Sequence, residues 1–303
     1  MKLTTFFGPD ESYRLGVVDG EDVVDMTHCV ERQAPLGLVS PMRALLAMTD
    51  SPATFLGDLD GERLPLSSVR LAPIVPDPAK IIAAPVNYRA HQAEMQEDYH
   101  IDALGIFLKA TSSVMGSGGT VRLPYSDRRF DQEGELALVI GRTASHVSAD
   151  DALGYVAGYT MLLDMTMRGG EDRSTRKSFD GFTPVGPYLV TPDEAGAPDD
   201  MRLQTWVNDV LRQDADVSDL IWDVPRLVEY ASSVMTLRPG DILTTGTPAG
   251  IGQVFDGDRI AVEVTHLGRL EVAVSSDGAV SCPTRGAQRG PKPPEEVTPV
   301  RAR

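Results

Sequence analysis

Residues 76–282 read as an α+β domain of the β-sandwich or roll type, with residues 1–75 as a small β-rich domain in front of it. Two observations predict this. Short strand-like segments outnumber helical ones and do not alternate with them one for one, which disfavours a doubly wound parallel sheet. The stretch Ala72-Pro73-Ile74-Val75-Pro76-Asp77-Pro78 breaks any regular element and marks a boundary.

In the first region, residues 2–7, 13–18 and 22–26 are short strands separated by Gly-Pro-Asp-Glu and Asp-Gly-Glu-Asp turns. Residues 41–48 read as a short helix. The second region opens with a buried strand over 80–84 and a helical stretch over 87–97. Its clearest strand is 132–140, and 156–164 is another. Between them, Ser148 reads as an N-cap with Asp151 near the first turn. Residues 203–208 and 210–213 flank Asn208-Asp209, a tight hairpin turn. Leu227, Ala231, Val234 and Met235 give helical spacing over 224–235. Pro239-Gly240-Asp241 turns into a strand over 242–245, and 259–265 with 269–274 flank a second hairpin at His266-Leu267-Gly268. Residues 283–303 are rich in Pro, Gly and charge, and read as a disordered or loosely draped tail.

The chain of 303 residues carries a net charge of -16, which disfavours nucleic acid and anionic lipid as partners. An anionic substrate would need local cations to reverse that field. The two cysteines, Cys29 and Cys282, make neither a disulfide framework nor a zinc spacing, and fit free thiols in a reducing cytoplasm. The N-terminus lacks the apolar stretch of a signal peptide, and no run approaches the roughly 20 apolar residues of a membrane span. A soluble, cytoplasmic protein is expected.

The segment Phe130-Asp131-Gln132-Glu133-Gly134-Glu135-Leu136-Ala137-Leu138-Val139-Ile140 is the most informative. Period-two alternation puts Glu133, Glu135 and Ala137 on one face and Leu136, Leu138 and Ile140 on the other, a core face. Two carboxylates about 7 Å apart repel, so they either lie in water or bind something positive. Hard cations prefer carboxylate oxygens, and such a site wants a third acid. Asp164, closing an apolar strand where an isolated charge is costly, is the candidate.

His91 and Glu94 stand three apart, on one face of a helix. A carboxylate beside an imidazole fixes its tautomer and raises its basicity, as a general base needs; a surface pair is the plainer alternative. Arg168, Arg173, Arg176 and Lys177 form a cationic loop in an acidic chain. Beside a metal, Arg168 and Lys177 could hold a substrate carboxylate and neutralise an oxyanion. The turn Thr245-Gly246-Thr247-Pro248-Ala249-Gly250-Ile251-Gly252 allows close backbone approach to an anion but is neither a P-loop nor a dinucleotide fingerprint.

Taken in order, these blocks resemble the fumarylacetoacetate hydrolase family over roughly residues 80–275. They are Asn87-Tyr88-Arg89-x-His91-x-x-Glu94, Phe107-Leu108-Lys109, Asp131-x-Glu133-x-Glu135-Leu136, and Tyr155-Val156-Ala157-Gly158-Tyr159 with Asp164 and Arg168. Lys177-Ser178-Phe179-Asp180, Pro184-x-Gly186-Pro187, Pro239-Gly240-Asp241 and the Thr245–Gly252 turn complete the set.

The resemblance implies a mixed β-sandwich roll, usually dimeric, with a small N-terminal domain. It implies Glu133, Glu135 and Asp164 as ligands of Mg²⁺ or Mn²⁺, with Ca²⁺ possible in crystals. His91 and Glu94 would be a water-activating dyad on a mobile lid, and Lys177 the site lysine. Arg168 and Thr247 would lie at the substrate, together with Glu171, which stands where Gln is common. Other departures are Gly169 for a common Asp, Ala110 for a common Pro, and Ala84-Pro85-Val86 where a glycine is common.

The activity so implied is metal-dependent hydrolysis of a carbon–carbon bond in a small β-diketo acid of the acylpyruvate or fumarylpyruvate type, of the kind met in aromatic catabolism. Decarboxylation of a β-keto acid and isomerisation of a hydroxydienoate use the same enolate chemistry and are the alternatives. A catalytically silent binding protein is the reading from another class, and the intact acids and dyad speak against it.

Overall fold

The protein is described here from a computed structural model that covers residues 1–31, 39–286, 293–295, 298 and 300. The draped tail expected over 283–303 therefore falls partly outside the described residues.

An eleven-stranded sheet forms the centre. From one edge it runs Glu62–Pro65, Asp22–Asp25, Tyr13–Asp19, Lys2–Phe7, Thr183–Val190, Val156–Leu163, Gly134–Ile140, Ile242–Thr244, Ile81–Ala83 and Phe107–Lys109, with Val114–Met115 beside Thr183–Val190. A five-stranded sheet packs against it, in the order Val210–Asp216, Arg202–Val207, Arg259–Val264, Gly268–Ser275 and Thr120–Arg122. A small third sheet joins Thr166–Met167, Phe130–Gln132 and Gly252–Gln253. Most neighbours are antiparallel, but Ile242–Thr244 runs parallel to Ile81–Ala83, Gly268–Ser275 to Thr120–Arg122 and Thr183–Val190 to Val114–Met115. The mixed, strand-rich α+β class read from the sequence is the one observed.

The strand Gly134–Ile140 is buried along its whole length. Leu136, Leu138 and Ile140 share a core with Leu203, Val262 and Val272 of the five-stranded sheet. Ala137 and Val139 belong to a second core with Leu3, Leu15, Met42 and Leu45. Alternation thus separates the two faces as expected, but the second face is covered rather than wet. Its cover comes from the first region, whose strands extend the same sheet: Lys2 pairs with Val190 and Leu3 with Leu189.

Local signals place most boundaries. Ser40 accepts from the Arg43 amide (3.3 Å) with Pro41 in the first turn, starting the helix Pro41–Met48. Asp223 accepts from the Arg226 amide (2.9 Å) and starts Val224–Val234, which buries Leu227, Val228 and Ala231. Ser148 does not cap: its hydroxyl donates to the Asp151 carboxylate (2.8 Å), and a 3₁₀ helix follows over Ala149–Tyr155. Asn208 and Asp209 both adopt left-handed backbone (φ 49° and 64°), as a two-residue hairpin turn requires. The strand expected over 132–140 is interrupted at Glu133, whose carbonyl accepts from the Asp164 amide at 2.8 Å.

Leu138 is fully buried in the central strand. Leu138→Ala should cost about 2–5 kcal/mol through lost burial and the cavity left behind, read as a lower urea midpoint with an unchanged slope.

Candidate metal centre and active site

Antiparallel pairing assembles the acids. Gly134 lies opposite Leu163 and Glu135 opposite Leu162, so the start of one strand sits beside the end of the other. Glu133 and Glu135 therefore meet Asp164 at one end of the sheet. Carboxylate oxygens of all three lie within 4.8 Å of one another, and all three residues are buried.

Cations surround them unevenly. Lys177 Nζ donates to Glu133 (2.6 Å) and to Asp164. Lys109 Nζ, wholly buried, donates to Asp164 and to the Phe182 carbonyl (3.1 Å). Arg168 bridges Asp131 and Glu133, each at 2.7 Å. Among the described residues Glu135 receives only neutral donors, the Thr244 hydroxyl and the Gly246 amide (3.1 Å). Gly246 holds φ 87° there, and an added Cβ would press on the Ala84 carbonyl at 2.9 Å.

The titration of the acids follows from this asymmetry. Burial opposes ionisation of Glu133, yet Lys177 and Arg168 outweigh it and hold the carboxyl below its ordinary range. Burial, with Asp164 adding like charge, pushes Glu135 up to about 8, although Lys177 and Thr244 act the other way. Burial and then Asp164 act in opposite directions on Lys109, and burial wins, lowering it; on Lys177 the carboxylates win and raise it. A carboxylate cluster with one member short of positive charge suits a hard divalent cation, which would satisfy Glu135 and remove the repulsion.

Glu133, Glu135, Arg168 and Lys177 line one cleft. His91, Glu133, Glu135, Arg168, Lys177 and Thr247 all face it, with Val86, Met95 and Phe107 as apolar wall. His91 Nδ1 lies 3.0 Å from Glu94, whose side chain is fully covered. Glu94 also accepts from the Gly250 amide (2.9 Å) and the Thr298 hydroxyl (2.6 Å). Gly250 has φ 102°, and a Cβ there would lie 1.8 Å from the Arg212 carbonyl, so only glycine fits. Thr247 accepts from Gln213 (2.7 Å) and donates to the Gly134 carbonyl (2.9 Å), which leaves its oxygen able to accept one more bond. Val86, in the segment where a glycine is common among the proteins the sequence resembles, takes φ 46°, a conformation rare for a branched residue.

Eight of the nine residues singled out from the sequence thus gather in or behind one cleft. Glu171 does not. Both its oxygens bond Arg128 (2.8 and 2.7 Å), the Thr284 hydroxyl also donates to it, and Arg128 holds its carboxyl down at about 2. It faces the C-terminal segment instead of the cleft.

Sequence reasoning gave no role to Lys109, Asp131, Gln213 or Arg176. Asp131 was within reach, since it continues the 133, 135 alternation. Gln213 and Lys109 act across strand pairings that local sequence does not reveal.

A buried carboxylate triad with adjoining lysines and a His–Glu pair, at the end of a mixed sheet in a β-sandwich roll, defines a metal-dependent enzyme acting on small acids. The sequence pattern described as "Fumarylacetoacetate (FAA) hydrolase C-terminal" matches residues 80–275, and the chain belongs to that family. It is 44% identical over 282 residues to maleylpyruvate hydrolase of Aquipseudomonas alcaligenes, spanning 87% of this chain and 96% of that one. Maleylpyruvate hydrolase from Sphingobium sp. SYK-6, solved with manganese(II) and pyruvate, superposes with a TM-score of 0.78 at 39% identity, over 91% of this chain and 99% of that one. The 5-carboxymethyl-2-hydroxymuconate delta-isomerase of Mycobacterium smegmatis gives 0.71 at 32% identity, over 91% and 99%.

The raised Glu135 carboxyl sets a pH dependence. In metal-free protein it keeps a proton that the unfolded chain loses above 4.5, so its contribution is full below that pH and is lost as pH rises towards about 8. Glu133, shifted the other way, contributes fully above 4.5 and loses that contribution only as pH falls below it, outside this window. Thermal unfolding in chelator should show Tm falling between about pH 5 and pH 8. Glu135→Gln should flatten that fall, and an unchanged slope would contradict the assignment.

Proposed function

We propose that this chain hydrolyses the carbon–carbon bond of an acylpyruvate, with Mg²⁺ or Mn²⁺ held by Glu133, Glu135 and Asp164. The observation that carries the reading is the shared cleft: three buried carboxylates with oxygens within 4.8 Å, beside an imidazole already oriented by Glu94. Manganese and pyruvate in the Sphingobium enzyme support the metal and the pyruvyl half of the substrate. When bound, the cation supplies Lewis-acid polarisation of the substrate oxygens.

The chain's own groups do the rest. Glu94 accepts at Nδ1 of His91, so that nitrogen carries the proton and Nε2 is free to take one from water. The hydroxide adds to the acyl carbonyl. The bond to the pyruvyl carbon then breaks, its electron pair passes into the enolate of pyruvate, and His91 returns the proton to that carbon. Two of the three Lys177 N–H groups are spent on Glu133 and Asp164, which leaves one for developing oxyanion charge. Arg168 keeps Glu133 ionised and in place, and Thr247 borders the substrate.

Isomerisation of a hydroxydienoate is the second reading, favoured by the likeness to the Mycobacterium smegmatis isomerase. It needs the enolate chemistry but no activated water. By family resemblance the working form is a cytoplasmic homodimer; among the described residues no helix is long and apolar enough to cross a membrane.

Incubation with an acylpyruvate and Mn²⁺ should release pyruvate and a second acid in equal amounts. Rearranged substrate, or CO₂ without a second acid, would reject hydrolysis. Glu135→Ala should abolish metal-dependent turnover. His91→Ala should bind metal normally by calorimetry, yet lose about 10²–10⁴-fold in kcat.

A further inference from the structure

Arg176 is the cation the reaction above does not use. It closes the short helix Arg173–Arg176, is 8% exposed and lines the same cleft. Its Nε is buried without a hydrogen-bond partner, and no salt bridge reaches its guanidinium, among the described residues. The buried cations at the carboxylates are all engaged by the protein: Lys177 and Lys109 on the triad, Arg168 on Asp131 and Glu133. Burial lowers the Arg176 pKa and nearby Arg168 lowers it further, while Glu133 acts the other way, so the guanidinium is desolvated and, among the described residues, not compensated by a paired carboxylate. A buried, unpaired guanidinium is costly unless an anion completes it. Its planar fork matches a carboxylate with two parallel hydrogen bonds.

The geometry points to Arg176 as the anchor for a second carboxylate, at the far end of the substrate's acyl arm. The inference rests on the acylpyruvate reading and specifies it further: the pyruvyl end faces the triad, apolar Val86, Met95 and Phe107 flank the carbon chain, and Arg176 selects acyl groups that end in a carboxylate. Arg173 and Glu97 also line this cleft; neither is as buried as Arg176. Arg176 is therefore a specificity-determining residue, and substrates lacking the distal charge should bind poorly because they leave it unpaired.

The test compares ligands that share the 2-oxo acid head. With Mn²⁺-loaded full-length protein, calorimetry should show 2-oxoadipate binding about 100-fold more tightly than 2-oxohexanoate. Arg176→Gln should bring the two within about threefold, by weakening 2-oxoadipate alone. Arg176→Lys, which keeps the charge but loses the fork, should fall between, and supplies the comparison should the glutamine variant fail to fold. In turnover, Arg176→Gln should lose about 100-fold more in kcat/KM on maleylpyruvate than on acetopyruvate. Equal weakening of both ligands, or a preference that survives both substitutions, would overturn the assignment. The two readings fail separately. Discrimination between the oxo acids without cleavage of either acylpyruvate rejects the hydrolase and keeps the anchor. Cleavage without discrimination does the reverse.

Discussion

The meeting of buried carboxylates with buried cations at one end of the central sheet governs this molecule. Glu133, Glu135, Asp164 and Asp131 face Lys109, Lys177, Arg168 and Arg129, and among the described residues Glu135 is the member left with neutral donors alone. Charges taken out of water are stabilised only by close partners, so every neighbouring element is constrained to deliver one. The edge strand Phe107–Lys109 delivers Lys109, the loop after Thr166–Met167 delivers Arg168, and the helix Arg173–Arg176 ends against Lys177. A divalent cation would give Glu135 the positive partner that its neighbours already have.

That cluster needs a rigid frame, and the frame explains the burial of Gly134–Ile140 on both faces. One face packs on the five-stranded sheet and the other on the first region, which continues the central sheet through Lys2–Phe7. Glu133 interrupts the strand just before this doubly packed stretch. Outside the ladder at that point, its side chain meets Arg168 and Lys177.

The outer side of the cleft is built differently. The dyad sits on the six-residue helix Arg89–Glu94, held by hydrogen bonds rather than by a deep apolar face. Asn87 ties its base to the Trp222 and Thr245 carbonyls at 2.9 Å. Beyond the family match, which ends at residue 275, Thr298 reaches Glu94 and the Pro294 carbonyl accepts from Arg129 at 3.3 Å. Chain lying outside the family pattern thus touches residues inside it.

The sequence alone determined the class of fold, most strands and the identity of the carboxylates, because strand period, turn residues and caps act over a few positions. It placed His91 beside Glu94 for the same reason, as both lie on one helical turn. What only the tertiary structure decided depends on partners distant in the chain. Lys109 meets Asp164 across 55 positions and Gln213 meets Thr247 across 34. Arg128 takes both oxygens of Glu171 out of the cleft, and Arg176 enters it with no ion-pair partner among the described residues. Whether a charge is paired is a property of the space around it, and local spacing carries no record of that space.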